Sequence, residues 1–405
     1  MEQRVEALRR AVAARRSEMT DFVAELISVA TENPPGCAYE KALRVAAREI
    51  EKLGQPVRIE AVPGGRELEH PRYWLSSEWG EGERAVYFHG HIDVVPAQDP
   101  SQFVPRITED TLFGRGSSDM KGGLASMIYA MRALADTSLP PKGRIALRIV
   151  PDEETGGKLG SEALGRAGLL FERDARAMLT AEPTGGVLWH ASRGALTYRL
   201  RVRGRPSHVG LQFRGSNAFE KALPLLQSLR TIKEDVERRV TSFPLDPEPA
   251  RHSILMMGGE VSGEQNFNLV PSSFVFTLDR RLNPEEDFEA EKRRLLEAFE
   301  SARSQGLDLE VECIQEARPA GGISSESPDV RAIVESIEAV KGERPRVELC
   351  PGILEIRFYA EKGVPAFAYG PGLLSVSHGP NEFVKRRELE DCAVIYALAA
   401  LRLLG

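Results

Sequence analysis

Residues 85–96 read AVYFHGHIDVVP. Four residues suited to a buried strand, 85–88, run without a break into His89-Gly90-His91-Ile92-Asp93-Val94-Val95-Pro96. The same construction recurs along the chain. An apolar run at 145–150 leads into Pro151-Asp152-Glu153-Glu154-Thr155-Gly156-Gly157, and one at 177–179 leads into Ala181-Glu182-Pro183. A fourth, at 366–369, is followed by Ser377-His378-Gly379-Pro380. Between the first two lies Gly114-Arg115-Gly116-Ser117-Ser118-Asp119-Met120-Lys121-Gly122-Gly123, which opens a helical stretch at 122–134. Short apolar strands alternating with helices indicate an α/β sheet with covered faces. In such sheets the ligand crevice lies beyond the carboxyl ends of the strands, so these motifs are expected to converge there.

Around this frame the chain is ordinary in bulk. Its 405 residues are 42% hydrophobic and 28% charged, enough apolar material for two domains. Net charge is −7, with no basic stripe, which excludes nucleic acid and anionic membrane surfaces as natural partners. The charged amino terminus carries no signal-type stretch, and the run AVIYALAALRLLG is too short for a membrane span and is expected as a buried final helix. Four scattered cysteines, Cys37, Cys313, Cys350 and Cys392, form no CxxC pair, so a reducing, cytoplasmic setting is expected. Met19, Phe22, Val23, Leu26 and Ile27 mark one face of a helix that ends before Asn33-Pro34-Pro35-Gly36, and a second helix starts near Tyr39.

Residues 186–314 have a different rhythm. Strand, helix, two strands, helix and strand follow in order (196–202, 218–236, 253–257, 273–278, 285–302, 307–311), the ferredoxin-like βαββαβ pattern. The expected architecture is therefore a mixed-sheet α/β catalytic domain formed by 1–185 and 315–405, interrupted by a ferredoxin-like lid at 186–314.

Histidines and carboxylates at strand ends suit a borderline divalent ion such as zinc, cobalt or manganese. A two-ion site needs a bridging carboxylate and further ligands on each side, and enough candidates are present. Asp93, two residues after His91 on a strand, shares its face and can orient the imidazole. Of the adjacent Glu153 and Glu154, one can bind metal while the other acts as general base. Taken singly, HxD is usually structural and tandem glutamates usually a solvated face. The Gly114–Gly123 loop lacks the GK[ST] ending of a phosphate cradle. Their joint occurrence at strand ends is what points to metal.

HGHIDVVP, GRGSSDMKGG, PDEETGG, AEPT and SHGP resemble the dinuclear metallohydrolase family of acetylornithine deacetylase, succinyl-diaminopimelate desuccinylase, aminoacylase and glutamate carboxypeptidase. The resemblance spans nearly the whole chain. It implies two divalent ions, Zn2+ first and Co2+ or Mn2+ as alternatives. It implies His91, Asp119 and Glu182 on one ion and Asp119, Glu154 and His378 on the other, with Asp119 bridging. Asp93 would orient His91, Glu153 would be the base, and the Asp119-Met120 peptide would be cis. In the lid, Arg205-Pro206-Ser207-His208-Val209-Gly210 matches the segment whose histidine stabilises an oxyanion, Asn268 and Arg281 match substrate contacts, and the lid often dimerises. Glu182 resembles the deacylase branch. A Gly-Thr-Asp-like stretch of the desuccinylases is replaced by Gly352-Ile353-Leu354-Glu355, leaving Gly352 as the secure match. The implied activity is release of the acyl group from an N-acyl amino acid, with a dipeptidase or carboxypeptidase, and more remotely a silent metal-binding protein, as alternatives. His89 is a bystander facing the site in this reading, and His70, His190 and His252 are structural.

Overall fold

The computed structural model describes residues 2–264 and 266–405. It divides into two compact units: Met1–His190, Gly322–Glu348 and Glu355–Gly405 form the first, and Ala191–Gly321 with Leu349–Leu354 the second.

The first unit is built on a mixed sheet of eight strands. Their spatial order is Val57–Ala61, Tyr73–Gly80, Arg144–Val150, Ala85–His91, Ala175–Pro183, Ala366–Gly370, Leu188–Ser192 and Val347–Cys350. The four apolar runs that end in chemistry are its four central strands, all parallel. Antiparallel partners extend the sheet beyond Arg144–Val150 and beyond Ala366–Gly370. Register sets His91 opposite Val150 and His89 opposite Thr180.

Alternation along Ala85–His91 divides its burial between two faces. Val86 and Phe88 enter the main core with Leu124, Ile128 and Tyr396, the Phe88 and Tyr396 rings meeting edge-on at 5.0 Å. Tyr87, His89 and His91 point the other way. There the short helix Ile356–Ala360 supplies Tyr359, whose ring lies 6.0 Å from Tyr87 and stacks on Phe171 at 4.7 Å.

Two of the helices on the core face matter most for the site. Lys121–Asp136 is buried along nearly its whole length, and its glycine pair has a steric reason. A Cβ on Gly123 would fall 2.3 Å from the Ala181 carbonyl oxygen, so only glycine lets the helix start so close to the strand carrying Glu182. The apolar carboxyl-terminal run is the buried helix Arg386–Leu404. Among the described residues no helix is long and apolar enough to cross a membrane. All four cysteines are free thiols.

The second unit has the βαββαβ order, with a four-stranded antiparallel sheet arranged Ile254–Ser262, Ser273–Leu282, Gly194–Arg203 and Leu309–Ala317. Helices Ala218–Val236 and Phe288–Ser304 cover one face through Leu225, Leu229, Leu295 and Phe299. Asn217 and Asp287 cap them, their side chains accepting from the first free amides; this places the second start at Phe288 rather than at 285. The opposite face is charged: Arg199 pairs with Glu260 and Glu312, and Arg203 with Glu310.

Candidate metal centre

Six of the residues singled out in the sequence stand at the carboxyl ends of the parallel strands. His91 closes Ala85–His91, Glu182 lies one residue from the end of Ala175–Pro183, and Glu153 and Glu154 form a 3-10 turn just after Arg144–Val150. Asp119 precedes helix Lys121–Asp136 across a cis peptide to Met120. His378 follows Ala366–Gly370 in a loop and has a left-handed backbone, φ 64°.

The ligand atoms form two groups that share Asp119. His91, Asp119 and Glu182 bring their donors within 4.8 Å of one another, as do Asp119, Glu154 and His378. One Asp119 oxygen, Oδ1, lies 3.1 Å from His91 Nε2, and the other, Oδ2, lies 3.4 Å from His378 Nε2. Glu182 Oε1 is 3.9 Å from His91 Nε2, and Glu154 Oε2 is 3.3 Å from His378 Nε2. A carboxylate offering one oxygen to each group is what a bridging ligand requires.

The donors fit divalent ions on two further grounds. Glu154 Oε1 is buried without a hydrogen-bond partner, a costly state that a cation would relieve. His91 Nδ1 lies 3.0 Å from the Asp93 carbonyl oxygen and 3.5 Å from its carboxylate, which directs Nε2 toward the shared centre.

Asp93 does more than orient a ring. Its carboxylate accepts the backbone amides of Glu153 at 3.2 Å and Glu154 at 3.0 Å, and an Asn33 Nδ2 hydrogen bond at 3.0 Å. A single buried carboxylate thus ties the His91 strand to the Glu153–Glu154 turn. Asn33 also donates to Asp152 Oδ1 and meets Thr155 Oγ1, which the breaker sequence around it does not announce. Glu382 is the other residue the sequence leaves unmarked. It is buried, accepts the amides of Ser118 and Asp119 at 3.0 and 3.1 Å, and pairs with Arg115 Nη1 at 2.7 Å. Arg115 in turn donates to the His378 carbonyl. Breaking so buried a pair costs about 3–5 kcal/mol, so Arg115 and Glu382 act together in holding Asp119.

The electrostatics are those of a centre crowded with carboxylates. Burial pushes Glu153 and Glu182 well above the usual range, and neighbouring carboxylates, Glu355 among them, add to this while His91 opposes it. Glu154 is raised for the same first reason. Burial also disfavours the His91 imidazolium, but hydrogen bonds to Asp119 and Asp93 carry it well above its ordinary value. Hydrogen bonds to Asp119 and then Glu154 push His378 up to about 10. An ion entering these groups would displace protons that the two histidines hold more tightly than usual, so metal affinity is expected to fall as pH falls. Calorimetric zinc titrations in buffers of different ionisation enthalpy measure this; uptake without proton release would contradict it.

The remaining sequence candidates belong to the second unit. The backbone of His208 bridges Leu269, and Val209 N donates to the Asn268 carbonyl, so the His208 and Asn268 segments are neighbours. His208 Nδ1 accepts from Gly210 N at 3.1 Å, leaving Nε2 on an exposed ring. Asn268 Oδ1 is buried without a partner. Arg281 pairs with Asp279 of its own strand at 2.9 Å. The Gly352 carbonyl accepts from Arg193 N. His89 is fully buried and hydrogen-bonded to Glu355 and Tyr359. His190 and His252 rings meet the carbonyls of Ile323 and Glu237, and His70 lies by Cys37.

Residues 87–402 match the family model for peptidase family M20/M25/M40. Similar solved structures include the di-peptidase Dug1p of Saccharomyces cerevisiae, 15% identical, with 100% of this chain and 99% of that one covered and a TM-score of 0.79. An M20 family metallo-carboxypeptidase of Sulfolobus solfataricus is 18% identical over 96% and 99%, TM-score 0.78. A dinuclear metal-binding M20 peptidase of Bacillus subtilis is 14% identical over 97% and 99%, TM-score 0.65.

Proposed function

The chain belongs to peptidase family M20/M25/M40, a family of hydrolases, and from that footing we propose a dinuclear metal-dependent amidohydrolase that releases the acyl group from an N-acyl amino acid. The observation that carries this reading is the pair of ligand groups sharing Asp119. His91, Asp119 and Glu182 would hold one ion, and Asp119, Glu154 and His378 the other. Zn2+ suits these donors best, with Co2+ or Mn2+ also compatible. When bound, the ions would supply Lewis acidity, activating water and polarising the acyl carbonyl.

The chain's own groups supply the proton transfers. Glu153, half-buried beside Glu154 and Glu182, takes the proton of the attacking water and delivers it to the departing amine nitrogen. Asp93 holds the two amides of that turn, so base and ligand keep a fixed spacing. His208 would donate to the developing oxyanion, Arg281 would release Asp279 to meet a substrate carboxylate, and Asn268 and Gly352 would offer polar contacts.

Cleavage of dipeptides is the second reading, supported by the dipeptidase and carboxypeptidase named among the similar structures. Product analysis on N-acetyl amino acids and on dipeptides separates the two. Release from N-acetyl amino acids supports the deacylase, and release from dipeptides alone moves the assignment to peptidase.

The lid is proposed to dimerise through the edge strand Ile254–Ser262 and helix Ala218–Val236. Phe219, Leu223, Met256 and Val261 are exposed there. Sedimentation is expected to give twice the chain mass, and Leu223→Glu with Met256→Glu to give monomers. A wild-type monomer at working concentration would remove the dimer.

A further inference from the structure

The mechanism above leaves the buried polar cluster around His89 without a task. Beneath His91 on the same sheet face, His89 Nε2 meets Glu355 Oε2 at 2.6 Å and His89 Nδ1 meets the Tyr359 hydroxyl at 3.2 Å. Ser161 Oγ joins at 3.3 Å. His89 and Glu355 are 0% and 2% exposed, too deep for a solvated ion pair to be the explanation. The second Glu355 oxygen, Oε1, is buried without a hydrogen-bond partner.

That oxygen lies against the turn that carries Glu153. A Cβ on Gly157, whose φ is +71°, would fall 2.9 Å from Glu355 Oε1 and 3.3 Å from the Phe358 ring. Two residues on, Arg357 Nη2 donates to the Gly156 carbonyl at 2.7 Å. Two side chains at the start of one short helix therefore seat the two glycines that end the 153–157 turn. Asp93 already fixes the leading amides of that turn. A 3-10 turn of three residues has little stiffness of its own, and a side chain on it points where its two ends are pinned.

We propose that Glu355 and Arg357 are positioning residues for Glu153, pinning the trailing glycines of its turn while Asp93 pins the leading amides. Glu355, itself oriented by His89 and Tyr359, is the stop against which Gly157 rests. Arg357 is the tie that holds the Gly156 carbonyl. The segment Gly352-Ile353-Leu354-Glu355, a departure in the sequence, thus ends in a residue with a defined mechanical role. The role assigned to Glu153 rests on the function proposed above; the seating of the turn does not.

Glu355→Asp keeps the charge but draws the carboxylate back from Gly157 by one methylene. Arg357→Lys keeps a cation but loses the guanidinium reach. In each, kcat is expected to fall about 10–100-fold, the range for partners that orient a catalytic group, with KM changed by less than about twofold and metal content retained. Amide hydrogen exchange over 153–157 is expected to speed up in both, with the rest of the chain and Tm unchanged. Unchanged exchange in that turn would overturn the proposal, as would accelerated exchange throughout with a lowered Tm and lost metal, the mark of a purely structural pair. Failure of both variants to fold would count as the same structural result. A wild-type enzyme silent on N-acyl amino acids and dipeptides would sink the proposed function instead, and the exchange measurement would still decide the clamp.

Discussion

Glu153→Ala is expected to abolish turnover while leaving the bound metal in place. The argument is one of division of labour along two adjacent residues. Glu154 faces His378 and belongs to a ligand group; Glu153 belongs to neither group, yet burial and its carboxylate neighbours raise its pKa well above the ordinary range. A carboxyl that holds its proton more tightly than usual, beside a centre where water is to be activated, is suited to accept a proton and give it back. Loss of such a group is worth about 10²–10⁴ in kcat. Removal of one carboxylate from a crowded acidic cluster also relieves repulsion, so stability is expected to hold or rise slightly. Metal analysis beside kcat decides the matter: activity and metal lost together would make Glu153 a ligand, and retained activity would remove it from the mechanism.

Asp119→Asn is expected to disable the centre as a whole. Each carboxylate oxygen serves a different ligand group, and two histidines lean on the one side chain. An amide keeps the shape but offers one acceptor and no charge, so no more than about one ion per chain should remain at working concentrations. Turnover is then expected to fall to background for want of a two-ion centre, whichever substrate is used. Two tightly held ions in Asp119→Asn would show that the aspartate does not bridge.

The four central strands were legible because each apolar run stops abruptly at residues that no core would accept, His91, Asp152, Glu182 and the loop to His378. The antiparallel strands Val57–Ala61 and Tyr73–Gly80 were not, since VRIEA and YWLSSEWG mix polar and apolar residues with no run to mark them. The βαββαβ order was legible from its alternation of periods, although helix starts waited on the caps, as at Asp287. In the centre, residue type and motif brought forward the six residues that the structure gathers. The residues that hold them lie far away in the chain and carry no local signal. Glu382 reaches Asp119 across 263 positions with no motif to mark it, and Glu355, quoted only as the end of a departing stretch, reaches His89 across 266. Asn33 reads as part of a breaker, yet its side chain joins Asp93, Asp152 and Thr155. Motifs mark where chemistry happens, while pinning is done by whatever the fold delivers.

The central claim is that the two groups sharing Asp119 form one two-ion centre that hydrolyses an amide. It is tested most directly by stripping the protein of metal and titrating zinc back while amine release from an N-acyl amino acid or dipeptide is followed. The account expects no release from the stripped protein and a rise that levels off near two ions per chain. Full activity in the stripped protein, or a plateau at a single ion, would contradict it.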